Sequence, residues 1–370
     1  MGNDIKKILL VQLFSNGDCL YATAVARQIK KDFPDHKLVW AVADFCSPIL
    51  LNNPFIDEVL EIRNINKNQV WETHETVMKL KKLEGKTYYK VFVTHDTFGD
   101  TKANFAGSIR SRVLKSYPYP ITVPVQPILQ FNDKEISNAR AFFEKNNLEA
   151  FKTIILFEYA PLSSQVYMTK EIAIKISISI TEQIPGTAII LSSANKINTN
   201  HYGIIDGSML TLRETAAFTH YCHLLLGCSS GITWITTSTG AKFLPMVQLI
   251  DKDALFLNSP ANDFALFNIK HNGVIELQDH SFINIVNCIK AISEFGIDSA
   301  FKIFHKPTPY NFKTTTLIVY SLLTSFKWSS LIRHWKMNVQ MFGLKFDFIW
   351  AYIKGILFCP YYFVRNKIKK

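Results

Sequence analysis

A chain of 370 residues with 48% hydrophobic and 19% charged residues has ample material for a packed core, and its length suggests two domains rather than one. That composition excludes a disordered chain, and no run reaches the roughly 18 consecutive apolar residues of a membrane-spanning helix. The net charge of +11 is concentrated: Phe301 to Lys370 carries 12 Lys and Arg against a single acid, Asp347, so the remainder of the chain is balanced.

The apolar run at the N-terminus, Ile8 to Phe14, is interrupted by Gln12 and lacks the cleavage site of a secretory signal. Gly2 is followed by Lys6 where a myristoylation motif has Ser or Thr. A cytoplasmic location is therefore expected. The six cysteines are scattered without a C-x-x-C pair and read as reduced, buried residues. His220, Cys222 and His223 have no second ligand pair at matching spacing, so no metal site is expected.

Ile8 to Leu13 reads as a strand, and from Cys19 the apolar residues Leu20, Ala24 and Ile29 recur at helical spacing. Ser15-Asn16-Gly17-Asp18 lies between them. Such a loop presents backbone N–H groups and a polar side chain at the carboxyl end of a sheet, where open α/β folds bind ligands. Asp18 is either the helix N-cap or a functional carboxylate there, and the two roles are compatible. Lys37 to Ala43 and Val59 to Ile62 read as strands, Gln69 to Leu83 as a helix stopped by Gly85, and Tyr88 to Thr94 as a strand with His95-Asp96 at its end. Alternation of this kind implies parallel β-α-β units.

Four prolines between positions 116 and 130 make that stretch a loop leading to a helix over Asp133 to Lys145. A second α/β series follows. Thr153 to Phe157 is its first strand, Lys170 to Gln183 a helix, Thr187 to Leu191 and Gly203 to Asp206 strands, Leu212 to Thr219 a helix and His223 to Leu226 a buried strand. Gly227-Cys228-Ser229-Ser230-Gly231 then opens a helix over Ile232 to Thr239, capped by Gly240, before a strand over Leu244 to Ile250 and a helix over Asp279 to Phe295. The expected domains are 1–150, 151–300 and an appended segment 301–370. Neither the dinucleotide fingerprint nor the P-loop motif occurs, which disfavours a nicotinamide enzyme and a P-loop ATPase.

Two stretches carry a resemblance. The first has Gly17-Asp18, Phe33-Pro34 and Asn53-Pro54-Phe55-Ile56-Asp57-Glu58-Val59; the second runs from Thr211-Leu212-Arg213-Glu214 through an apolar strand to Ser229-Ser230-Gly231. Together they resemble the heptosyltransferases, the family 9 glycosyltransferases. The resemblance implies an α/β chain of GT-B architecture, two Rossmann-like doubly wound domains facing a cleft, here with a basic, aromatic, helical C-terminal extension. It also implies an inverting, metal-independent transfer of sugar from a nucleotide-sugar, a co-substrate rather than a cofactor, to a glycan or glycolipid acceptor of lipopolysaccharide type.

Asp18 matches the family's proposed general base, with Asn16 and Gly17 in the acceptor-side loop. A carboxylate there would take the proton of an acceptor hydroxyl. Candidates for donor binding are Ser229, Ser230 and Gly231, then Ser163, Ser164, Gln165 and Lys170, because a departing diphosphate needs helix N-termini or cations when no metal is present. For each serine the alternative is ordinary helix capping. The family pattern has Asp where Ser229 stands and His where Trp234 stands, so the donor sugar is not expected to follow the family. The rivals are a GT-B epimerase or hydrolase and a catalytically degenerate glycan-binding protein.

Phe301 to Lys370 holds 17 of the 48 aromatic residues. Helices with aromatic and basic residues on opposite sides lie on anionic membranes, so 312–370 is expected either to dock on a bacterial inner membrane from the cytoplasmic side or to pack back on the first domain. No nucleic-acid motif accompanies the charge.

Overall fold

The computed structural model describes residues 6–66, 68–95, 102–159, 166–252, 259–310 and 312–368. It forms two compact units, one of Met1–Ser47, Pro54–Pro124 and Tyr310–Lys370, the other of Pro48–Asn53 and Val125–Pro309.

The first unit begins with β1 (Lys7–Val11), α1 (Asn16–Asp32), β2 (Lys37–Ala43), β3 (Glu58–Ile62), α2 (Val70–Lys81), β4 (Lys90–Val93) and α3 (Ile109–Lys115). Its sheet is parallel, in the order β3-β2-β1-β4. Ile8 to Val11 are fully buried, as the unbroken apolar run requires of a central strand covered on both faces. The chain leaves β1 for β2 and β3 on one side and returns to β4 on the other. The sheet therefore has a switch point between β1 and β4, where open α/β sheets take their ligands.

The second unit holds α4 (Asp133–Lys145), β5 (Thr153–Glu158), α5 (Lys170–Gln183), β6 (Thr187–Ser192), β7 (Ile204–Asp206), α6 (Leu212–Phe218), β8 (Leu224–Gly227), α7 (Gly231–Ile235), β9 (Met246–Leu249), α8 (Pro260–Leu266), β10 (Val274–Leu277), α9 (Phe282–Phe295) and α10 (Ile297–Phe304). Its parallel sheet runs β10-β9-β8-β5-β6-β7, with its switch point between β5 and β8. It begins before α4, earlier than the boundary near 150, because α4 is bound to α6. Arg213 grips both carboxylate oxygens of Glu135, and Asn138 donates to Glu214. The Thr-Leu-Arg-Glu motif is thus architectural, since Thr211 and Glu214 also close a capping box.

One helix differs from its sequence pattern. α7 stops at Ile235 instead of reaching Thr239, and Gly240 does not cap it. Thr236 and Thr237 turn their hydroxyls onto the carbonyls of Thr233 and Trp234, in competition with the helical ladder. Gly240 serves packing: a Cβ there would stand 2.5 Å from the Leu129 carbonyl oxygen.

The C-terminal segment forms α11 (Lys313–Thr324), α12 (Trp328–Phe342) and α13 (Phe346–Ile368), which belong to the first unit. Ile318 and Leu322 pack with Ala103 and Phe105. Buried His334 and Asn338 bond the carbonyls of Ala103 and Phe105 at 3.1 and 3.2 Å. No helix among the described residues is long and apolar enough to cross a membrane.

Candidate functional site

At the first switch point, β1 hands over to α1 through Ser15, which takes φ +72°. A non-glycine residue in that region is strained, and strain of this kind gathers at working sites. Ser15 is the N-cap residue, so the capping reading of Asp18 is corrected: Asp18 lies inside the first turn. The sharp turn makes Ser15 the last non-helical residue, leaving Asn16 and Gly17 as the first two helical positions. Asn16 accepts a bond from the Cys46 thiol at 3.1 Å.

The Asp18 carboxylate takes a charge-assisted bond from Arg112 Nη2 at 2.7 Å, with both side chains largely buried. Arg112 comes from α3, whose N-cap Ser108 accepts from the Ser111 N–H. Beyond the end of β4, His95 shares a 3.2 Å contact with Gln12 Nε2, while Thr94 donates to Gln12 Oε1 at 3.0 Å. Burial, helped by the positive charge of Arg112, pulls the His95 imidazole down to about 3. It is therefore a neutral group beside the ion pair. Arg112 was not legible as a partner of Asp18, because nothing local links positions 94 residues apart; the only cue was a Ser-capped basic turn.

At the second switch point the chemistry is different. Glu158 ends β5, fully enclosed, and accepts from the Cys228 N–H at 3.0 Å and from the Ser230 hydroxyl. Burial raises it to about 7 against those two bonds. Gln248 on β9 accepts from the Ser229 N–H at 2.9 Å and from Thr233 at 3.0 Å. Gly227 lets this cluster close: a Cβ there would meet Gln248 Nε2 at 3.1 Å.

Ser229 (φ +53°) and Ser230 are buried, and Ser230 caps α7 through the Ile232 N–H. Two N–H groups of this turn are therefore already spent on Glu158 and Gln248. Gly231 faces open space. Trp234 is core, edge-on to Phe264. Lys170 is the first residue of α5, behind the N-cap Thr169. Ser163, Ser164 and Gln165 lie outside the described residues.

A pocket of about 290 Å³ opens beyond the ends of β9 and β10, lined by Val166, Tyr167, Ile250, Asp251, Lys252, Gln278 and His280. Among the described residues, no three His, Cys, Asp or Glu side chains cluster in a way that could hold a metal ion.

No protein-family profile matches the sequence, and no curated protein sequence matches it either. Solved structures do. A family 9 glycosyl transferase of Veillonella parvula superposes with a TM-score of 0.52 over 88% of this chain and 99% of its own, at 16% identity. The ADP-heptose lipopolysaccharide heptosyltransferase II of E. coli gives 0.53 over 78% and 98%, at 12% identity. The chain has the GT-B glycosyltransferase fold. Within this GT-B chain, the Asp18–Arg112 pair and the Glu158–Ser230 cluster occupy equivalent places, the switch points of the two sheets.

Proposed function

We propose that this chain is an inverting, metal-independent glycosyltransferase that moves a sugar from a nucleotide-sugar to a lipid-linked or lipopolysaccharide-type glycan. The observation that carries the reading is the Asp18 carboxylate, set on the first turn of α1 at a switch point of a GT-B fold and oriented by Arg112. In the reaction, Asp18 accepts the proton of an acceptor hydroxyl as that oxygen attacks the anomeric carbon. The bond from that carbon to the diphosphate breaks, the nucleoside diphosphate leaves with the electron pair, and in-line attack inverts the centre.

Donor binding is assigned to the second unit. The pocket lined by Tyr167, Lys252 and His280 is its candidate seat. Lys252 supplies a positive charge of the sign a departing diphosphate needs. The E. coli neighbour is named for ADP-heptose, which makes ADP-heptose the reference against which a panel of nucleotide-sugars is compared. Buried Trp234 and Ser229, where the family pattern has His and Asp, support a different sugar. An acceptor carried on lipid fits the basic segment 312–370.

The test is Asp18→Asn, which keeps size and hydrogen bonding but cannot take the proton. Transfer to a glycan acceptor should fall by roughly 10²–10⁴-fold, with donor-induced thermal stabilisation retained. Unchanged transfer overturns the assignment. Full-rate donor turnover without any acceptor would favour the epimerase or hydrolase reading.

A further inference from the structure

Helix α13 has two apolar faces. The inner one, Phe348, Ala351, Tyr352 and Gly355, is buried against α11 and the Trp335 ring of α12, and a Cβ on Gly355 would stand 2.7 Å from Val319 of α11. The other carries Phe346, Trp350, Ile353 and Leu357 at helical spacing, 77%, 43%, 39% and 62% exposed. A helix of a water-soluble domain ordinarily shows charge on that side. On α12, Trp328 and Ile332 are also exposed, one turn apart.

Cations accompany these residues. Lys345 and Lys354 are exposed on either side of the outward stripe, Lys354 lying 5.4 Å from the Trp350 ring centre, and Arg333 and Lys336 are exposed on α12. The only acid in the last 70 residues is Asp347. A second copy seated two-fold on this face would bring like charge against like. An anionic bilayer supplies both missing partners, hydrocarbon for the aromatic and aliphatic groups and phosphate for the lysines, whose stems span the difference in depth.

We propose that α13, with the first turns of α12, lies in the plane of an anionic lipid bilayer, its Phe346–Leu357 stripe immersed and its lysines at the headgroups. The proposal goes beyond the transfer reaction and requires neither donor nor acceptor.

The experiment is co-sedimentation of the full chain with phosphatidylcholine vesicles, with and without phosphatidylglycerol. Binding is expected to the anionic vesicles only and to weaken with salt. Trp350→Glu with Ile353→Glu should weaken it at least tenfold, and Lys354→Gln about fivefold. Both variants should melt as the parent does, since the altered side chains are exposed, and Lys354→Gln keeps the test open if the double variant fails to fold. Equal vesicle binding by parent and variants overturns the proposal. A parent that is dimeric, ignores vesicles and becomes monomeric in the double variant would also overturn it, assigning the face to a second copy. Transfer to a water-soluble acceptor should be the same in parent and variants, so failure here is distinguishable from failure of the transferase reading.

Discussion

The two sheets end alike in topology and unlike in chemistry. Each switch point carries a serine at positive φ, Ser15 or Ser229, at the turn into a helix. At the first, an ionised carboxylate faces a guanidinium, and a histidine beside them is held neutral. At the second, a carboxylic acid is enclosed among a hydroxyl, an amide and backbone N–H groups. The same backbone solution thus supports an ion pair in one place and an interior brace in the other. The deciding variable is access to a cation, because burial without one drives a carboxyl toward its neutral form.

The largest expected effect tests that division directly. Asp18→Asn should cost roughly 10²–10⁴-fold in kcat, whereas Glu158→Gln, isosteric with a protonated acid, should leave kcat within about tenfold. A comparable loss in both would erase the difference between the two sites. Arg112→Gln comes next: removing the guanidinium from a largely buried pair should destabilise the first unit by about 2 kcal/mol in denaturant titrations and lower kcat. Arg112→Lys should restore part of the kcat, which a purely structural role would not.

Titration separates the regions by sign. His95 is depressed to about 3 from 6.5, so its contribution is intact above about 6.5 and is lost as pH falls toward 3. Buried His334, lowered to about 4, acts in the same direction. Glu158 is raised from 4.5 to about 7, so its contribution is present below 4.5 and is lost as pH rises through 7. Between pH 7 and pH 5, His95→Gln should remove about 2 kcal/mol of acid-induced loss, and Glu158→Gln should remove a gain of similar size. Denaturant midpoints of parent and variants at the two pH values check both signs. The smallest effect is expected at the strained serine itself: Ser15→Gly should relieve a positive-φ penalty worth about 1 kcal/mol, read as a small rise in melting temperature.

Much of the architecture was readable because periodicity is local. Lys37–Ala43, Asp133–Lys145 and Lys170–Gln183 appear with the bounds their patterns indicate. Weaker patterns were passed over: α3, α8, α10 and β10 are only four to eight residues long, too short to show a clear period. In α7 the error had a definite cause, side-chain hydroxyls competing for carbonyls that the apolar pattern assigned to a helix. The C-terminal extension showed its charge and aromatic content plainly. Packing back on the first domain was one of its two readings, but the partners at residues 103–107 were not legible, since they depend on His334 and Asn338 reaching carbonyls more than 230 positions away.

By itself the sequence determined the order of strands and helices, the two α/β halves, the Gly17–Asp18 turn and the basic, aromatic end. These follow from neighbours along the chain, where hydrophobic period and turn residues act. Tertiary structure alone decided that Asp18 meets Arg112, that Glu158 rather than a second ion pair closes the other switch point, and that Ser229 and Trp234 are interior groups. Those outcomes depend on burial and on charges brought together from remote positions, and a carboxylate's role is set by which of the two it receives.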